Sequence, residues 1–216
     1  MATKAPPPPK MPTAAAVSSA VSAVTSAAAK VDAIQVKIDK AEAAGKSTAS
    51  LEKQLASATT ALNTATTKVN TLVSTAQTIA SNATAAAAQV ASGDISGKAA
   101  TTAVNTAKSV STTLSQITTI VNKASSNTKI TNDIALTSLQ SAAQTLQPIN
   151  QEVRSTYFDA AIQIAPSRAV VNNLVITETK LNLTGQGLKP SQITKEIKTL
   201  TQTLNKEAAI EAALYL

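Results

Sequence analysis

Between Leu51 and Val90 the chain keeps an unbroken 4-3 apolar spacing: Leu51, Leu55, Ala58, Leu62, Ala65, Val69, Leu72, Ala76, Ile79, Ala83, Ala86 and Val90. Steps of four and three average 3.5 residues, the period of a helix that lays one face along another helix. At 1.5 Å per residue this seam alone is about 60 Å long. The face away from it reads Ser57, Thr60, Thr64, Thr67, Thr71, Ser74, Thr78 and Ser81. A solvated helix usually carries Glu and Lys there, joined in i,i+4 ion pairs. Here small hydroxyls take their place and charge is almost absent. The pattern predicts a structural rod that packs on both sides.

The same spacing organises the rest of the chain. Thr13 can cap a first helix reaching about Ala44, with Val17, Val24, Val31 and Ile38 recurring every seven residues. Gly45 suits the left-handed residue that closes a helix, and Ser47 or Thr48 caps the second helix, expected to run to about Ser92. Gly93-Asp94-Ile95-Ser96-Gly97 is a turn rich in breakers. A third helix follows to about Ala124 on the seam Ala103, Ala107, Val110, Leu114, Ile117 and Val121. A fourth begins near Asp133 and should kink or break at Pro148. Residues 168–184 are ambiguous: Val170, Val171, Val175 and Ile176 favour a strand, whereas Ser167 as cap with Val171, Leu174 and Leu181 fits a helix, the reading adopted because the rest is helical. Pro190 and Ser191 open a last helix. The expected fold is therefore all-α, an elongated antiparallel helical bundle or coiled coil with shorter C-terminal helices. The expected division is a Pro-rich extended arm over 1–13, long-helix hairpins over 14–126, and a C-terminal helical region over 127–216 kinked at Pro148.

Composition narrows the chemistry. The chain has no cysteine and no histidine, so thiolate or His metal sites, Ser-His-Asp triads and Cys-His pairs are excluded. Net charge is +7, but between Gln54 and Asn132 the only charges are Lys68, Asp94, Lys98, Lys108, Lys123 and Lys129. Lysines this scattered read as solubilising rather than as a nucleic-acid site. Met11–Ala29 is uncharged, yet its Ala, Ser and Val content is too weakly hydrophobic for a membrane span and lacks the Leu-rich centre of a signal peptide.

No motif spells out catalysis. Ala44-Gly45-Lys46-Ser47-Thr48 looks like the end of a phosphate-binding loop, but Lys40 stands where that motif needs its first glycine, and a helix precedes it instead of a strand. The carboxylate pairs Asp39/Glu42 and Glu207/Glu211 sit among lysines on helix faces, which suits surface ion pairing rather than acid–base work. Asn82-Ala83-Thr84 and Asn182-Leu183-Thr184 match the glycosylation pattern, which is common by chance. Thr60 and Thr71, Thr64 and Thr75, and Thr67 and Thr78 are eleven apart, a spacing that could order water, but Ser and Asn interrupt the row. No cofactor or metal is expected, and no enzyme activity.

Three features remain as candidate interaction sites. Pro6, Pro7, Pro8 and Pro9, flanked by Lys4 and Lys10, favour extended polyproline II and could lie in a groove on a partner. Thr60, Thr64, Thr67 and Thr71 form a charge-free stripe. Tyr157 and Phe158, beside Arg154 and Asp159, are either a small core or a docking knob. The arm Ala5-Pro6-Pro7-Pro8-Pro9-Lys10 together with Ala/Ser/Thr helices resembles small structural proteins of large DNA viruses and tailed phages. The likeness is one of composition and layout and assigns no role to any residue. It implies a minor capsid or tail component of a virion, assembled in host cytoplasm, that bridges or cements neighbouring subunits, a second copy of itself among the candidates. The alternative expectation is a membrane-peripheral or cell-surface coiled-coil binding module.

Overall fold

A computed structural model describes residues 10–214 and, as far as residue 210, their side chains. Six helices follow one another: α1 (Ala14–Ala43), α2 (Ala49–Ala91), α3 (Gly97–Ser125), α4 (Asp133–Gln163), α5 (Arg168–Gly185) and α6 (Pro190–Leu214). The described residues contain no strand, and the fold is an all-α helical bundle. The 43-residue α2 is the longest element and is unbroken. Its neighbours end where the local chemistry requires. Thr13 accepts a hydrogen bond from the Ala16 N–H at 3.1 Å, capping α1. Gly45 (φ 63°) then turns the chain, its N–H donating to the Glu42 carbonyl and that of Lys46 to the Ala41 carbonyl, both at 2.9 Å. Residues 168–185 are helical, as Ser167 accepting from the Val170 N–H signals.

Pro148 lies inside α4, which continues through it. The ring removes the bond that residue 148 would donate to the Gln144 carbonyl. Both residues are exposed, so water can meet that carbonyl, and the helix is not terminated there.

The described residues divide into two compact units that do not follow chain order: those up to 82 with 109–153, and 83–108 with those from 154 onward. The sequence expectation separated long helices from short ones near residue 126. Packing groups instead the segments that lie side by side, and α2, α3 and α4 each contribute to both units.

In the first unit four helical segments form a ring of neighbours. Ile34 and Ile38 of α1 pack with Ala58 of α2. A groove is lined jointly by α1 and α3. Asn70 of α2 accepts from the Ser138 hydroxyl of α4 at 3.4 Å, and Asn150 of α4 accepts from the Ser115 hydroxyl of α3 at 2.9 Å. The interior is filled by Val17, Val24, Leu62, Val69, Leu114, Ile117, Val121, Leu139 and Leu146, all fully buried. Asn132 starts α4, accepting from the Ala135 N–H, while its amide and the Thr131 hydroxyl donate to the two oxygens of Asp32 at 3.0 and 2.8 Å.

The seam of α2 is wider than a two-row stripe. Leu62, Ala65, Val69, Ala76, Ala83 and Val90 are buried as expected, but Leu72, Ile79 and Ala86 are half-buried, and Val73, Ala80 and Ala87 are buried instead. Thr66 is buried too, its hydroxyl donating to the Asn63 carbonyl at 2.9 Å. A helix in a four-membered ring touches two neighbours, so it needs an apolar face broader than a coiled-coil seam.

The second unit is built on alanine. Ala87, Val90, Ala100, Ala103, Val104, Ala107, Ala160 and Ala161 form its core, with Tyr157 and Leu174 packed against it. α5 pairs with α6. None of the α5 side chains is fully buried, although the helix carries Val170, Val171, Leu174, Val175, Ile176, Leu181 and Leu183.

Candidate interaction surfaces

Thr60, Thr64, Thr67 and Thr71 are all exposed on α2. Three of the four hydroxyls turn back to their own helix, while that of Thr67 makes no hydrogen bond among the described residues. Thr60 donates to the Ala56 carbonyl and Thr64 to the Thr60 carbonyl, each at 3.0 Å; Thr71 donates to the Thr67 carbonyl at 2.9 Å. Thr75 and Thr78 repeat the pattern one turn back, to Thr71 and Ser74. Such back-bonding uses the side-chain donor within its own helix. What the stripe turns outward is then mainly γ-methyl groups and spare oxygen lone pairs. Thr67, Asn70, Thr71, Ser74, Thr75 and Thr78 border a shallow open groove of about 460 Å³.

The chemistry of the exposed face changes along α2 while its exposure does not. At the start Glu52, Lys53 and Gln54 are exposed; further on the exposed positions are Thr60, Ala61, Asn63, Thr64 and Thr67. Lys68 is the one charge between Gln54 and Ala91.

Phe158 is 2% exposed and therefore belongs to the interior, not to a docking knob. Tyr157 is half-buried, with its ring centroid 4.8 Å from that of Phe158 at 52°. Burial pushes the Tyr157 phenol up from its ordinary pKa. Nearby in the second unit, Arg154 donates to the Asn182 side-chain oxygen at 2.8 Å. Glu178 is shifted upward by burial first and by the negative charge of Asp159 second, with Arg154 opposing. The Arg154–Asn182 hydrogen bond joins α4 to α5, whereas Asp159 and Glu178 set like charges across the same contact. Pro6 to Pro9 lie outside the described residues.

Sequence reasoning missed the groove between α1 and α3. Its available signal was Ser18, Ser22 and Ser26, a run of small residues at i,i+4,i+8 on α1. Among the described helices only α1 is long and apolar enough to cross a membrane, its most apolar 18-residue window having a mean hydropathy of 1.3. Its Val17, Ala20, Val21, Val24 and Ala28 are at most 7% exposed, so the bundle interior already accounts for them. Among the described residues no three metal-ligating side chains come together. Neither a protein-family model, nor a curated protein sequence, nor a solved structure is significantly similar to this chain.

Proposed function

We propose that the protein is a non-enzymatic structural component of an assembly, a minor capsid or tail component of a virion that cements neighbouring protein subunits through the hydroxyl stripe of α2. The observation that carries this reading is the change of surface chemistry along one exposed helix face. Solvent alone would favour charges at Thr60, Thr64, Thr67 and Thr71 as it does at Glu52 and Lys53. A face destined for a protein interface avoids them, because burying an unpaired charge costs several kcal/mol, on the order of its desolvation penalty. Back-bonded threonines suit such burial, since their donors stay satisfied when water leaves.

The experiment is incorporation of a variant. Thr64→Lys combined with Thr71→Lys is expected to leave the helical circular dichroism unchanged and to abolish entry of the chain into assembled particles, read by quantifying it in purified particles. Normal incorporation of the folded variant overturns the reading.

A further inference from the structure

We propose that α5 and α6 form a clasp that lifts from α4 as one unit, and that the clasp closes more tightly when Glu178 takes up a proton. The device lies within the second unit and does not depend on the α2 stripe.

Leu174, Glu178 and Asn182 stand at i, i+4 and i+8 on α5, one above another on a single face. Asn182 accepts from the Arg154 guanidinium of α4 at 2.8 Å. Leu174 packs against the alanine core to which Ala160 and Ala161 of α4 belong. These two points fix an antiparallel register: α5 rises from Leu174 to Asn182 while α4 descends from Ala161 to Arg154. Glu178, in the middle of the row, falls beside Asp159, whose charge acts on it. The row thus offers an apolar contact at one end, a hydrogen bond at the other, and two like charges between them.

Little else holds α5 to α4. No side chain of α5 is fully buried. The connection over residues 164–167 is pinned by two backbone bonds, from the Ile164 N–H to the Ala160 carbonyl at 3.4 Å and from the Ala165 N–H to the Ile162 carbonyl at 3.2 Å. Pro166 has no N–H to add. To α6, by contrast, α5 is tied along its length. The two helices pack on each other, Arg168 meets Glu207 at 3.8 Å at one end, and Gly187 (φ 77°) turns the chain at the other. Among the described residues of α6 only Ile193 is buried. Local opening follows contiguous elements with few buried apolar contacts, so a pair joined to itself and lightly held to its support opens together.

The proton enters through the middle of the row. Burial raises the Glu178 carboxyl above its ordinary pKa, Asp159 raises it further, and Arg154 opposes. Once the clasp lifts, the carboxyl is hydrated and away from Asp159, and returns toward its ordinary value. Closing therefore takes up a proton. The resulting stabilisation is fully present below the ordinary glutamate range and is lost as pH rises through the raised value. Tyr157 of α4 stays protonated throughout, because burial pushes its phenol up from an already basic value. The described charged side chains of α6, Lys195, Glu196, Lys198, Lys206 and Glu207, are exposed and none acts on Glu178; the same holds for Arg168 and Lys180 of α5.

The test is hydrogen exchange of the full chain read by mass spectrometry at a series of values between about pH 4 and 8, corrected for the intrinsic rate. Peptides from α5 and α6 should exchange in step, about tenfold or more faster than those from residues 97–108 of α3. Their opening should increase as pH rises through the ionisation of Glu178 and then level off. Glu178→Gln is neutral at every pH. It should remove that dependence and reduce opening near neutral pH roughly twofold to fivefold, the size of a partly exposed charge interaction. Asp159→Asn should act in the same direction. Asn182→Ala should raise opening about tenfold and leave the protection of α3 unchanged. Exchange of α5 and α6 that is no faster than that of α3, or that proceeds independently in the two helices, overturns the clasp. A pH dependence that Glu178→Gln leaves intact overturns the role of the proton.

Discussion

The tip of the α1–α2 hairpin and the body of the first unit solve the same problem with different side chains. From Asp39 to Ser57 no residue is fully buried. There the two helices have only each other, and their contact uses Val31, Ile34, Ile38, Leu51 and Leu55. Outside it stand Lys37, Asp39, Lys40, Glu42, Glu52 and Lys53, with Gln35 donating to Asp39 at 2.9 Å. In the body, each helix has two neighbours, and the interior shifts to Ala65, Val69, Val73, Ala76 and Ala80. On α2 the inward residues thus change from large at the two-helix tip to mostly small in the body, where α3 and α4 supply the large Leu114, Ile117, Leu139 and Leu146 and small residues on α2 let the axes approach. The outer faces also differ: charge at the tip, back-bonded threonine on the body. Exposure is the same in both, so exposure is not what selects the chemistry.

The largest effect expected to test this contrast is Leu62→Asp. Leu62 is fully buried in the body, and an unpaired charge there costs several kcal/mol in effective terms. Thermal melts followed by circular dichroism should show the bundle lost or strongly destabilised. A melt resembling that of the unaltered chain removes Leu62 from the interior. Next in size is a paired truncation. Leu62→Ala should cost about 2–5 kcal/mol, and Leu55→Ala, half-buried at the tip, about 1–2 kcal/mol. Equal losses in urea titration would erase the distinction between a two-helix tip and a four-helix body. The smallest effect sharpens the contrast most. Thr64→Glu would place a glutamate four residues before Lys68, the favourable order for an i,i+4 ion pair. The isolated chain should be unchanged or more stable by about 0.2–0.5 kcal/mol. Stability of the fold is then no reason for the stripe to lack charge. A clear destabilisation would show that Thr64 serves the fold of the single chain.

Helix limits were legible because Thr13, Gly45, Gly93, Ser167 and Pro190 act locally, through capping and backbone geometry that do not need the rest of the molecule. The second row of the α2 seam was read one residue early at Leu72, Ile79 and Ala86. The residue after each is apolar too (Val73, Ala80 and Ala87), so hydrophobicity alone could not orient the row, and only the arrangement of two neighbours decides. Pro148 suggested a kink or a break because its local cost is plain in sequence; the helix does not break there, and the exposure that lets water satisfy the Gln144 carbonyl is not legible in sequence. For the interaction surfaces, the stripe of Thr60, Thr64, Thr67 and Thr71 was visible from charge depletion. The burial of Phe158 was not, since a lone aromatic pair reads alike as core or knob. The α1–α3 groove was hidden because its two walls are about a hundred residues apart in the chain.

The interleaving of the two compact units limits how this chain can be divided. The second unit takes its buried core from the end of α2, the start of α3 and the end of α4, with Leu174 of α5 packed against it. A cut in the turn after Ala91 leaves Ala87 and Val90 on one fragment and Ala100 to Ala161 on the other. Neither unit is a contiguous cassette that recombination could lift out and graft elsewhere. A cut at any one of the connections after α2, α3 or α4 therefore separates residues that share a unit.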